Sequence, residues 1–97
     1  MATYVSLIKF TEQGVKNFKD TCKRAADFKA SAKKFGIEVK ETYWCMGAFD
    51  GVLILDAPDD ETATAGMLSL ATLANVTTQT LRSFNAVEMN RILGRMP

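Results

Sequence analysis

The stretch Tyr43-Trp44-Cys45-Met46-Gly47-Ala48-Phe49-Asp50-Gly51-Val52-Leu53-Ile54-Leu55-Asp56-Ala57 decides the fold. An aromatic, apolar run ends at Gly47. A β-branched and leucine-rich run returns from Val52 to Leu55. Asp-Gly between two apolar runs marks a β-hairpin, because Gly accepts positive φ and Asp tolerates it. The connection is longer than a two-residue turn, which places Phe49 near the tip rather than in a ladder.

Working outward, Ile37 to Met46 reads as the strand entering the hairpin. It alternates first (Ile37 and Val39 against Glu38 and Lys40) and turns aromatic at Tyr43 and Trp44. Before it, Phe18, Cys22, Ala25, Phe28, Ala32 and Phe35 recur at i, i+4 and i+3 steps, the pattern of one buried helix face. That helix is expected from about Thr21 to Phe35. Gly36 stops it, and Lys33 and Lys34 sit in its last turn, where cations suit the dipole. Cys22 falls on the stripe and reads as a small core residue. Thr3 to Phe10 makes a first strand with apolar residues on both pleat faces. Thr11 offers an N-cap for a short helical turn, which Gly14 keeps from running on.

Downstream, Ala57-Pro58-Asp59-Asp60-Glu61 starts a helix. Pro58 ends the strand, Asp59 or Asp60 caps, and the carboxylates meet the positive helix end. This explains the acidic triplet without a metal. The helix runs from about Asp60 to Leu73, with Gly66 and several alanines suited to close packing. It is apolar enough to require burial of more than one face. Val76 to Phe84 is a fourth strand. Asn85 and Glu88 form a capping-box pair for a last helix, Ala86 to about Arg95, striped by Met89, Ile92, Leu93 and Met96.

The order is β-α-β-β-α-β plus a C-terminal helix. This predicts an α+β, ferredoxin-like βαββαβ fold with an antiparallel four-stranded sheet and both main helices on one face. The other face is partly apolar, so two sheets are expected to pack across a two-fold axis, giving a homo-oligomer, a dimer or higher.

Composition narrows the chemistry. The 97 residues, 47% hydrophobic and 24% charged, suit one globular domain over 1–97. No apolar run approaches a membrane span or a signal-peptide core, so a cytoplasmic location without membrane partners is expected. Net charge is +1. Residues 1–40 hold nine Lys/Arg against four Asp/Glu, and residues 41–97 three against seven. The basic half reads as the solvated face of the first long helix. It lacks interleaved exposed aromatics, so nucleic-acid binding is not expected. There are two cysteines and no histidine. Cys22 and Cys45 have no CxxC spacing, Cys45 reads as a buried strand residue, and no metal site is predicted. Without histidine there is no Ser-His or Cys-His pair and no His-ligated zinc or haem.

With these segments placed, the chain resembles the GYD domain family over nearly its whole length. The resemblance rests on Phe10-Thr11-Glu12-Gln13-Gly14 closing the first strand, Tyr43-Trp44 before the turn, and Gly47-x-Phe49-Asp50-Gly51. It rests also on Ala57-Pro58-Asp59-Asp60-Glu61-Thr62-Ala63 and on Asn75-Val76-x-Thr78 leading to Phe84. It implies membership of the dimeric α/β-barrel superfamily, whose ferredoxin-like domains pair through their sheets. That superfamily spans monooxygenases, isomerases, haem proteins and ligand-sensing domains, so it does not fix a function. Where the family name denotes Gly-Tyr-Asp, this chain has Phe49. A proton transfer that needed a tyrosine hydroxyl there is closed to it.

The leading functional expectation is a pocket between sheet and helices for a small apolar or aromatic ligand. Tyr43, Trp44, Phe49 and Phe84 would line it, and Asp50 would be its polar anchor and the one candidate catalytic group, with no cofactor. The structural alternative makes Asp50 a turn residue and the aromatics core. A second expectation is a homo-oligomeric assembly or ligand-sensing regulatory module without catalysis. A third, by superfamily analogy, is a cofactor-independent monooxygenase using Tyr43, Trp44 and Cys45.

Overall fold

The computed structural model describes residues 1–97. Strands β1 (Ala2–Phe10), β2 (Glu38–Trp44), β3 (Gly51–Ala57) and β4 (Val76–Ser83) form one sheet in the order β2-β3-β1-β4. Every pairing is antiparallel. Helices α1 (Glu12–Lys16), α2 (Thr21–Lys34), α3 (Asp60–Ala71) and α4 (Ala86–Leu93) complete the chain, with a 3-10 turn at Phe18–Asp20 before α2. The fold is α+β and ferredoxin-like, as the order of segments predicts.

Alternation along β1 sets the two sheet faces. Tyr4 and Ile8 are buried apolar residues on the helix side, opposite Leu55 and Gly51 on β3. Leu53, Leu55, Val39 and Ile37 join them, and Ala32 of α2 and Ala63 and Met67 of α3 close the core from above. Ser6 is the one buried polar residue in this layer, and its hydroxyl is hydrogen-bonded to Thr80 Oγ1 at 2.9 Å. The register of β2 shifts between Val39 and Glu41. Val39 and Thr42, three residues apart, therefore both pair with helix-facing residues, Leu55 and Leu53. Glu41 and Tyr43 go to the other face, opposite Ile54 and Val52.

Two helix starts follow the sequence closely. The Asp59 side chain accepts the Thr62 N–H at 2.7 Å, which holds its carboxyl below the usual carboxylate range. Asn85 and Glu88 make a reciprocal capping box. Gly66 lets α3 approach closely: a Cβ there would overlap Ile37 Cδ1.

Several expectations are corrected. Of the stripe predicted for α2, Ala25, Phe28 and Ala32 do face inward, but Cys22 is exposed, as are Phe18 and Phe35. Phe18 lies on the 3-10 turn, out of register with the helix, and Phe35 is the C-cap ahead of Gly36, whose φ is +84°. Cys45 is also exposed, because β2 ends at Trp44. The hairpin's left-handed residue is Gly47 (φ +104°), not Gly51, which is already inside β3. Helix α3 buries one face only, Ala63, Gly66 and Met67, while Leu68 stays 62% exposed. The C-terminal helix does not cover it, since α4 buries no residue at all.

Candidate functional site

A cavity of about 80 Å³ lies between the helix side of the sheet and the helices α2 and α3. Ile8 and Leu53 form its floor, with Phe10 and Val76 at the β1–β4 end. Ala25 and Phe28 of α2 and Leu70 of α3 line it from above, with Leu73 just beyond α3. Its polar groups are few: Thr21, Arg24, Thr42, Asp50 and Asn75. Apolar walls with a handful of polar groups are the lining of a small-molecule site, here at well below the usual volume of roughly 300 Å³ or more.

Trp44 closes one side. It follows Thr42 and Tyr43 on β2, pairs with Gly51, and its indole N–H donates to Thr21 Oγ1 at 2.9 Å. That bond ties the end of β2 to the first residue of α2. The residue is about half exposed and borders the cavity.

Asp50 also borders the cavity, but much of its bonding holds the hairpin to β1. Its N–H donates to Ile8 O at 2.8 Å, and its carbonyl accepts the Cys45 N–H at 2.8 Å. Its carboxylate Oδ2 accepts the Phe10 N–H at 2.7 Å. The side chain thus extends the β1–β3 ladder past its last backbone pair, Ile8 and Gly51. This bonding favours the turn-and-ladder role over that of a free acid or base.

The remaining sequence-selected residues are dispersed. Tyr43 borders the cavity, but its alternation puts the ring on the open face, with the hydroxyl 3.3 Å from Glu41 Oε2. Phe49 sits in the hairpin loop and does not line the cavity. Phe84 follows β4 at the opposite end of the sheet, where the Arg82 guanidinium lies 4.5 Å from its ring centroid. Of the trio Tyr43, Trp44 and Cys45, the first two border the cavity and Cys45 does not.

Sequence reasoning missed Arg24. The true inward stripe of α2 is Thr21, Arg24, Ala25, Phe28 and Ala32. It shares Ala25, Phe28 and Ala32 with the stripe read from Cys22 and adds Thr21 and Arg24, polar residues that a search for apolar positions passes over. Arg24 Nη1 donates to Asn17 O at 2.6 Å. Arg24 Nη2 is buried and has no hydrogen-bond partner.

A larger groove, of about 430 Å³, lies between α3 and β4, bordered by Tyr4, Asp60, Met67, Thr78, Thr80 and Arg82. The Tyr4 hydroxyl donates to Asp60 Oδ1. Burial, reinforced by that bond and by the Asp60 charge, pushes the phenol from 10.0 up to about 12. The folded state thus holds this proton more tightly than the unfolded chain. The stabilisation is complete below about pH 10 and is lost as pH rises through about 12. Chemical denaturation from pH 8 to 12 should show a decline in stability beginning near pH 10. Tyr4→Phe should be less stable at pH 8 and lose the Tyr4 part of that decline. An unchanged decline in the variant would refute this assignment.

The model of the family described as the GYD domain matches residues 4–93. A protein of Thermus thermophilus described as "Glutamine synthetase and cystathionine beta-lyase binding protein" is 27% identical over 90 residues, covering 92% of this chain and 95% of its own length. No solved structure matches the chain. No group of three or more His, Cys, Asp or Glu residues is placed to hold a metal ion, and no helix is long and apolar enough to cross a membrane.

Proposed function

The chain belongs to the GYD domain family, and on that footing we propose that it is a binding protein that takes a small, largely apolar molecule into the cavity between its sheet and helices. The observation that carries this reading is the cavity itself: apolar walls from four strands and two helices, and an indole at its edge. At about 80 Å³ it is smaller than the roughly 150 Å³ cavity that admits benzene. Its occupant is accordingly a short chain or a ring seated only in part, with the remainder in the open mouth. Catalysis is not part of the proposal, because Asp50 is engaged by the Phe10 amide and no histidine is present.

Trp44 is the sole tryptophan, so its fluorescence reports on the cavity. Benzyl alcohol should produce a saturable change in its emission. Leu70→Phe, which fills the cavity, should abolish that change while the protein stays folded. No saturable response in the wild type, or an equal response in Leu70→Phe, would overturn the reading.

The binding unit in this proposal is a homo-oligomer joined through the open sheet face. Val5, Leu7, Val52 and Ile54 on that face are only half buried, and Leu81 is 46% exposed. Just 14 of 97 residues are buried in the lone protomer, a small core for this length. Pairing would build the dimeric α/β barrel.

A second reading is a module that binds other proteins. It is favoured by the printed description of the Thermus thermophilus relative and by α4, whose Val87, Met89 and Leu93 remain uncovered. The two readings separate on Leu70→Phe: filling the cavity would not touch a partner held on α4.

A further inference from the structure

We propose that the cavity selects a small monocarboxylate, with an apolar body among Phe28, Trp44, Leu70 and Val76 and its carboxylate on Arg24. This rests on the reading of the cavity as a binding site and adds the chemical class of its occupant. Arg24 Nη2 is the one buried side-chain nitrogen or oxygen in the chain that lacks a hydrogen-bond partner. A buried donor left unpaired is costly, and guanidinium groups are normally satisfied by carboxylates in fork geometry. The chain supplies no such partner. Its ion pairs use Lys16, Lys23, Lys40 and Arg82, and none includes Arg24.

The guanidinium is nevertheless held in place. Nη1 is fixed by Asn17 O at 2.6 Å, at the junction between α1 and the 3-10 turn. Arg24 is one turn of α2 before Phe28, so cation and apolar wall share a helix face. Arg24 is the one cation lining the cavity, it is pinned by one nitrogen, and it joins no ion pair; a small turn of the guanidinium would bring Nη2 from its buried position to an acceptor in the cavity.

The other charge in the cavity decides the sign and number of charges on the ligand. Asp50 also borders the space, and its Oδ2 already accepts the Phe10 N–H. No Asp50 oxygen is buried without a partner, whereas Arg24 Nη2 is. The unmet demand is for an acceptor, not for a cation. The Asp50 carboxylate repels a second negative charge, so a monoanion is favoured over a dicarboxylate or a phosphate.

The test compares benzoate with benzyl alcohol, matched in size and differing in charge, by Trp44 fluorescence and calorimetry on the full chain. Benzoate should bind wild type at least tenfold tighter than benzyl alcohol, and phthalate should bind more weakly than benzoate. Arg24→Met keeps the aliphatic stem and should remove the benzoate advantage, bringing the two probes to equal affinity. The wild-type comparison needs no variant, so it decides the matter even if Arg24→Met unfolds. Equal affinity for the two probes in the wild type, or a benzoate preference that survives in Arg24→Met, would overturn the inference while the cavity reading stands. Binding of neither probe would remove the cavity reading itself.

Discussion

Gly14→Ala is expected to cost about 3 kcal/mol or more, enough to lower Tm by roughly 15 °C for a domain of this size. The reason is backbone against backbone. A Cβ at Gly14 would overlap the Asn75 carbonyl oxygen and lie 2.9 Å from its carbonyl carbon. No rotamer change can relieve that overlap. Moving α1 away is blocked as well. The Thr11 N–H donates to Asn75 O at 3.1 Å, and the Thr11 hydroxyl donates to Ala74 O at 2.6 Å. Gln13 Nε2 donates to Leu73 O and to Asn75 Oδ1, each at 3.1 Å. Each bond lost adds about 1 kcal/mol. Ala74 already holds a positive φ of 65°, so the opposing segment has little freedom to retreat. Gly94→Ala is the control, because its nearest neighbours lie at 3.4 and 3.8 Å, and it should melt within about 3 °C of wild type. Thermal melts of both variants check the contrast. A Gly14→Ala protein as stable as Gly94→Ala would show that α1 and the entry to β4 do not meet as described.

The second large effect is expected at Leu7. It lies in the middle of the open sheet face, opposite Val52 on one side and Gln79 on the other. If protomers pair through this face, Leu7→Lys would bring two desolvated ammonium groups toward a two-fold axis. The cost is several kcal/mol, from burial of charge and from like-charge repulsion. Wild-type protein should be a dimer or higher at micromolar concentration, with a Tm that rises with concentration. Leu7→Lys should sediment as a monomer and lose that concentration dependence. A variant that keeps the wild-type mass would move the interface elsewhere.

Much of the fold was legible because its signals are local. Pro58 with Asp59, the Asn85–Glu88 box and Gly36 each mark a helix boundary through bonds within a few residues, and they lie where expected. The alternation of β1 gave both sheet faces. What was not legible depended on the third dimension. Periodicity placed Ala25, Phe28 and Ala32 on the inward face of α2, but only the packed structure shows that Arg24 joins them and that Cys22 does not. Asp50 looked like a turn residue or a site anchor, and the acceptor it supplies to Phe10 crosses forty positions of chain. Phe84 seemed fit for an aromatic pocket, but β4 runs antiparallel to β1 and carries it away from Trp44 to a stack with Arg82. Trp44 borders the cavity, and its bond to Thr21 could not be foreseen.

The resemblance motifs also gain a physical content. Thr11, Gln13 and Gly14 from the first motif meet Leu73, Ala74 and Asn75 before the fourth strand. That junction seals the end of the cavity bordered by Phe10, Leu73, Asn75 and Val76. Residues carrying the resemblance therefore border the site; of its two charged groups, Asp50 lies within a motif and Arg24 lies outside them, on α2.

The most direct measurement is an amide and indole NMR titration of uniformly labelled protein with benzoate. The account predicts saturable shifts confined to the Trp44 indole N–H, Thr21, Arg24, Phe28, Leu70 and Val76, with the Arg24 side-chain resonances moving most. Shifts centred instead on the open sheet face around Leu7 and Ile54, or on α4, or no saturable shift at all, would contradict it.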